Sequence, residues 1–215
     1  SAVSKTYGDP DFSAVAIGAA PGSIVTYESS EPAVAAVDST TGKVTIKGAG
    51  TAVITAKAAA TDEYDEAVAT CTLTVEKKSI AIPAADATVF TYNGKPQTYA
   101  LVENQAYTVS GNVQTDANET GYSVKAALKD TANTQWKDGT DEDKTYVFTI
   151  APKPLSKVTI GDFPDKTYTG LSIQPAVAPV DGNAALTENT DYTVSYGANT
   201  NVGKATITVT GTGNY

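Results

Sequence analysis

The chain reads as all-β, a tandem array of small β-sandwich modules, and three observations predict it. Residues 201–215, NVGKATITVTGTGNY, pass from a glycine turn into strict alternation, with Ala205, Ile207 and Val209 on one face and Thr206, Thr208 and Thr210 on the other. A period of two is the signature of a half-buried strand. The same phrase recurs at residues 50–64, GTAVITAKAAATDEY, and at residues 121–136, GYSVKAALKDTANTQW. A unit that returns three times marks a repeat array. No segment holds a 3.6-residue period for long, and the alanine-rich patch at 56–60 is too short to be a helix by itself.

The elements follow in order. KTYGDPDF at 5–12 opens the first unit, and IVTYESS at 24–30 predicts a strand. Short strands are expected at 33–37 and 43–47, joined across the turn formers of 38–42 as a hairpin. A strand at 51–57 and a closing strand at 67–76, AVATCTLTVE, complete the unit. In that last strand Cys71, Leu73 and Val75 share one face, which predicts Cys71 as a small buried hydrophobe. The charge cluster and proline of EKKSIAIP, 76–83, mark the first boundary.

The second unit reopens at TYNGKP, 91–96, whose Asn93-Gly94 pair signals a turn. It continues through strands at 107–111 and 121–129 and ends at 145–150 with Tyr146, Phe148 and Ile150 on one face. APKP at 151–154 is a stiff second linker, because proline fixes φ and lacks a donor. The third unit reopens at KTYTG, 166–170, and runs through DYTVSY, 191–196. Tyr7, Tyr92 and Tyr168 start the units, Gly50, Gly121 and Gly203 precede the alternating strand, and Tyr64, Trp136 and Tyr215 follow it. Many short strands with frequent turns read as immunoglobulin-like sandwiches, with modules at 1–77, 78–153 and 154–215. Joined end to end they predict an elongated rod. The third module is expected to lack its last strand and to be the least ordered, since no alternating run follows Tyr215.

Composition narrows the function. The 215 residues contain no Met, no His, one Cys and four Phe, so the cores draw on Ala, Val, Ile and Tyr. A net charge of −9 argues against nucleic acid, whose phosphates need clustered Lys and Arg. No apolar run approaches the ~18 residues of a membrane helix, so no membrane insertion is expected in this segment. With neither a signal peptide nor an anchor, the chain reads as a piece of something longer.

The phrases KTYGDPDF, VTYESSEPAVAAVDSTTGKVTIKGAGTAVITA and TLTV resemble the bacterial immunoglobulin-like repeats of large surface proteins, including the MBG and group 2 Ig-like modules. DYTVSYGANTNVGKATITVTGTGNY is similar to repeats in cell-surface proteins of Gram-positive anaerobes, and the middle unit is a looser match. The resemblance implies a stalk or spacer at the cell surface or in a secreted protein, with neighbouring domains of that protein as partners. It carries no binding or catalytic residues with it.

The residues support little chemistry. Without histidine there is no Ser-His-Asp or Cys-His catalysis and no His-ligated metal, and one cysteine rules out thiolate clusters and an intrachain disulfide. No phosphate-binding glycine loop is present. Carboxylate pairs remain, but they sit in predicted turns, where no pocket separates their pKa values. No cofactor and no enzymatic activity are expected. The acidic turn with Asp138, Asp141 and Asp143 is the calcium candidate, although its spacing matches no EF-hand. A Lys–Asn isopeptide staple lacks a lysine on an apolar strand face.

Twelve tyrosines and Trp136 raise the possibility of sugar stacking. Those at repeated positions read as structural anchors, with Tyr64 and Trp136 covered by their own modules. Tyr99, Tyr122 and Tyr196 lack counterparts and are the ligand candidates. The expected function is therefore a mechanical spacer. A glycan- or host-protein-binding adhesion module is the alternative, and an accessory segment of a polysaccharide-degrading enzyme is the third reading.

Overall fold

Residues 1–215 are described by a computed structural model. Its strands begin where alternation begins. In the first segment these are β1 (Ala2–Thr6), β2 (Phe12–Ser13), β3 (Val25–Ser29), β4 (Ala35–Val37), β5 (Lys43–Ile46), β6 (Gly50–Ala58) and β7 (Ala67–Glu76). One sheet has the order β1-β7-β6-β3 and a second has the order β2-β5-β4. β7 is antiparallel to β6, whereas β1 lies parallel to β7. Of the residues 56–60 with helical promise, Ala56, Lys57 and Ala58 instead extend β6, each pairing with both β3 and β7. Between the two sheets lie Val34, Ala35, Val44, Ala52, Leu73 and Val75, all buried. A buried Leu or Val contributes about 1.5–3 kcal/mol, so a small sandwich of this kind depends on a few such positions.

The hairpin between β4 and β5 is closed by its own sequence. Asp38 accepts the N–H groups of Thr40 and Thr41 and the Thr41 hydroxyl, which lowers its carboxyl pKa. Gly42 follows at φ +68°, where a Cβ would stand 2.6 Å from the carbonyl oxygen of Ala14. Only glycine fits there.

The next segment contains β8 (Lys78–Ile80), β9 (Phe90–Thr91), β10 (Gln97–Thr98), β11 (Tyr107–Ser110), β12 (Val113–Gln114), β13 (Asn118–Leu128), β14 (Thr134–Trp136) and β15 (Lys144–Ala151). Its main sheet has the order β11-β13-β15-β9, again with a parallel pair, β15 and β9. Phe148 on β15 is the centre of an aromatic cluster, edge-on to Phe90 at 5.3 Å, stacked on Tyr99 at 5.4 Å and tilted to Tyr122 at 5.6 Å.

The last segment contains one 3-10 turn (Leu155–Lys157), β16 (Val180–Asp181), β17 (Ala184–Ala185), β18 (Tyr192–Gly197) and β19 (Thr206–Gly211). These form two separate antiparallel ribbons, β16-β17 and β18-β19, and no strand lies on the far side of β19. The buried Tyr192 donates its hydroxyl to the carbonyl of Val177, tying β18 to the stretch before β16.

By contacts the chain divides into two units. One holds Ser1–Pro83, Glu103–Thr108 and Ala126–Lys144; the other holds Ala84–Val102, Val109–Lys125 and Thr145–Tyr215. The division runs through β11, β13 and β15.

Candidate functional site: two asparagine-centred joints

If the protein works by holding segments in line, its working parts are the linkers. In the first unit the linker continues from β7 directly into β8, which pairs in parallel with β14. The N–H of Lys78 donates to the carbonyl of Asn133 at 2.9 Å, and the N–H of Lys137 donates to Ile80 at 2.8 Å. The turn at 130–133 is shaped by Asp130, which accepts the Asn133 backbone N–H and both contacts from its Nδ2. That leaves Asn133 Oδ1 to accept the N–H of Ala49, 2.8 Å away, in the loop between β5 and β6. A surface pair, Lys77 with Asp141 at 3.0 Å, flanks the joint.

The second unit repeats the geometry. The N–H of Lys153, in the linker after β15, donates to the carbonyl of Asn214 at 2.9 Å. Asn214 Oδ1 accepts the N–H of Ala117 at 2.6 Å, and its Nδ2 donates to Asp116 at 3.1 Å. Each linker lysine thus meets the backbone of an asparagine whose side chain caps an alanine in an earlier loop. One turn uses its own Asp130 to orient the asparagine, and the other uses Asp116 of the capped loop.

The second joint adds a half-buried network. Lys153 Nζ pairs with Asp181, and the Tyr215 hydroxyl donates to Asp181 Oδ2 at 3.1 Å. The Tyr215 ring meets Tyr92 edge-on at 5.5 Å. Lys153, and then Tyr215, hold the Asp181 carboxyl below its ordinary pKa, while burial and then Asp181 push the Tyr215 phenol up. The network is therefore complete across neutral pH. Asp181 thus ties the linker lysine to Tyr215 through its two carboxylate oxygens.

Replacing Asn133 or Asn214 by alanine strips a cap from a half-buried N–H. An unsatisfied donor of this kind costs about 1–3 kcal/mol. Faster amide exchange is expected at Ala49 in Asn133→Ala and at Ala117 in Asn214→Ala; unchanged exchange would show that the caps carry no weight.

The residues singled out from sequence fall differently. In the acidic turn, Asp138 is paired with Lys144 at 2.7 Å and held at a pKa of about 2, and Asp141 is paired with Lys77. Asp143 lies in the same turn, yet no three acidic side chains converge as a metal site would need. Lys144 and Lys77 thus each neutralise one carboxylate of this turn. Tyr99 is only 2% exposed, and its hydroxyl accepts the N–H of Asp86. A ring so enclosed belongs to the core and offers no face to a sugar. Tyr122 is half-buried, with its hydroxyl donated to Asp116, and Tyr196 is half-buried, with its hydroxyl donated to Pro175. Tyr99 and Tyr122 meet on the Phe148 ring, whereas Tyr196 is tied to Pro175 in the last segment.

Two expectations need correcting. Tyr64, expected to be covered, is 53% exposed: its turn closes on itself through Thr61 N–H to the Tyr64 carbonyl and Tyr64 N–H to Thr61 Oγ1. Trp136, by contrast, is fully buried, with Nε1 donated to the Glu142 carbonyl and its ring 5.6 Å from Tyr107. Cys71 is only half-buried, because an apolar cleft of about 480 Å³ lined by Val3, Phe12, Tyr27, Ile54 and Leu73 opens beside it. The sheets do not close over that end of β7. The joint asparagines were missed because turn asparagines are common; their place just before Trp136 and Tyr215 was the available signal.

No curated protein matches the chain. Among solved structures, human protocadherin-24 EC1-2 is 14% identical, covering 71% of this chain and 95% of that one at a TM-score of 0.29. Surface layer protein SbsC, domains 4–9, is 18% identical, covering 95% of this chain but 38% of that one at a TM-score of 0.27. Residues 16–60, from the approach to β3 through β6, match the family described as intimin, immunoglobulin-like domain, and this segment is similar to such a domain.

Proposed function

We propose that the chain is a non-catalytic spacer segment of a bacterial cell-surface or secreted protein, made of three immunoglobulin-like modules at 1–77, 78–153 and 154–215. Its task is to hold an adhesive or catalytic part located elsewhere, and its partners are neighbouring domains of the same protein. The observation that carries this reading is the recurrence of one joint, in which Asn133 and Asn214 each clamp a linker lysine to an earlier alanine loop. A joint repeated in this way limits bending at both linkers, which is what a spacer requires. The similarity of residues 16–60 to an intimin immunoglobulin-like domain supports the same class.

Small-angle scattering tests it. Strands of six to eight residues span about 20–27 Å, so three sandwiches in line should reach on the order of 100 Å. A maximum dimension near that value is expected. A compact particle would overturn the spacer reading.

A further inference from the structure

The turn pair Asn93-Gly94 belongs to neither joint and to neither core. It is the only place in the chain where glycine follows an asparagine. The pair lies in the loop between β9 and β10, and both residues are exposed. Gly94 sits at φ +72°, in the left-handed region that glycine adopts without strain. Beyond its chain neighbours, the nearest atom to the place of a Cβ is the Tyr92 hydroxyl, 4.0 Å away. The backbone nitrogen of Gly94 is therefore unshielded, and its N–H donates to no backbone carbonyl.

The same turn arms the side-chain amide of Asn93. Its Oδ1 accepts the N–H of Lys95 at 2.9 Å. That bond draws electron density from Cγ and places a donor where negative charge develops when Cγ is attacked. The attacking atom, the Gly94 nitrogen, is one residue along the same chain, so ring closure has the advantage of an intramolecular reaction. The leaving nitrogen, Nδ2 of Asn93, makes no hydrogen bond. Elsewhere these atoms are engaged. Nδ2 donates to Leu101 from Asn112, to Gly121 from Asn118 and to Ile173 from Asn199. At the joints, Asn133 and Asn214 donate Nδ2 to Asp130 and Asp116, and the next backbone N–H donates to Asp130 and to Thr212.

We infer that Asn93 is a self-modifying site, which water converts to aspartate and isoaspartate, and that the conversion loosens the second joint. The Gly94 nitrogen gives its proton to solvent and attacks Asn93 Cγ. The Cγ–Nδ2 bond breaks, and Nδ2 takes up a proton from solvent and leaves as ammonia. The product is a cyclic succinimide. Water then adds to one of its two carbonyls: opening at Cγ gives aspartate, and opening at the main-chain carbonyl gives isoaspartate. Ammonia is exchanged for water, and nothing is oxidised or reduced. Either product adds one negative charge, and isoaspartate also routes the backbone through Cγ, one carbon longer. The loop that must absorb this carbon is held at both ends. On one side the Tyr92 N–H donates to Ala151 at 2.8 Å and its ring meets Tyr215 of the joint at 5.5 Å. On the other, Gln97 pairs with Gln114 of β12. The added length is therefore taken up at Tyr92, whose ring is drawn away from Tyr215. This effect rests on the geometry of the joint and not on the spacer reading.

The test is incubation of the full 215-residue chain in mildly alkaline buffer, followed by peptide mapping with fragmentation that separates aspartate from isoaspartate. Asn93 is expected to convert at least tenfold faster than any other asparagine. It should also convert faster than in mildly acidic buffer, because the Gly94 nitrogen attacks only after losing its proton. The converted and unconverted chains are then separated by their difference in charge, and amide exchange is read on each. Exchange at Tyr92 is expected to speed at least fivefold on conversion, while β6 and β7 exchange as before. Asn93→Gln, whose amide lies one methylene farther from the Gly94 nitrogen, should stay intact and keep slow exchange at Tyr92 through the same incubation. Conversion at Asn93 no faster than elsewhere would overturn the inference. So would unchanged exchange at Tyr92 after conversion, or an equal change in Asn93→Gln. The scattering test uses the unconverted chain, so the spacer reading can fail separately.

Discussion

Trp136→Ala is expected to cost the fold about 3–5 kcal/mol, the range for deleting a large aromatic from a packed core. The indole is completely buried, packed against Tyr107, and its Nε1 is satisfied by the Glu142 carbonyl. Removing it leaves a cavity and an unpaired carbonyl, and it undercuts β14, the strand on which the linker strand β8 pairs. Chemical denaturation should show a transition moved to lower denaturant, with amide protection lost first along β14 and β8. The informative comparison is Tyr64→Ala, which alters the equivalent repeat position. With its ring half in solvent, that change should stay within about 0.5 kcal/mol. Equal losses at the two positions would contradict the packing described here.

Phe148→Ala is the other large expected effect, again about 3–5 kcal/mol. Phe148 is buried and meets Phe90, Tyr99 and Tyr122 at once, so its removal empties the centre of a cluster rather than one wall. Aromatic pairs of this geometry are worth about 0.5–1.5 kcal/mol each beyond the area they bury. The enclosed Tyr99 should become reachable by solvent, which tyrosine-selective modification followed by mass mapping would read. A stable Phe148→Ala protein with Tyr99 still shielded would show that the cluster closes up around the gap.

Much of the local structure was legible because its cause is local. The strand expected at 67–76 is β7 over the same residues, since period-two alternation and its flanking breakers lie inside the ten residues themselves. The hairpin at 38–42 was legible for the same reason: Asp38, Thr40, Thr41 and Gly42 close it among themselves. Burial at repeated aromatics was legible only in part. Trp136 and Tyr64 occupy one position in the repeat, yet one ring is roofed by Tyr107 and the other faces water. The repeat pattern specifies where a ring starts, not what arrives to cover it.

The sequence by itself determined the all-β class, the strand periodicity, the turn chemistry, and the lack of histidine or paired cysteine for catalysis or metal binding. Only the tertiary structure decided that Asn133 reaches Ala49, 84 positions away, and that Asn214 reaches Ala117, 97 positions away. It also decided that Asp138 and Asp141 of the acidic turn are held by Lys144 and Lys77. The reason is range. Alternation and turn formation are settled by neighbours a few bonds apart, so residue order records them. A cap or an ion pair between distant loops depends on where folded strands bring those loops, and nothing in the neighbouring residues encodes that distance.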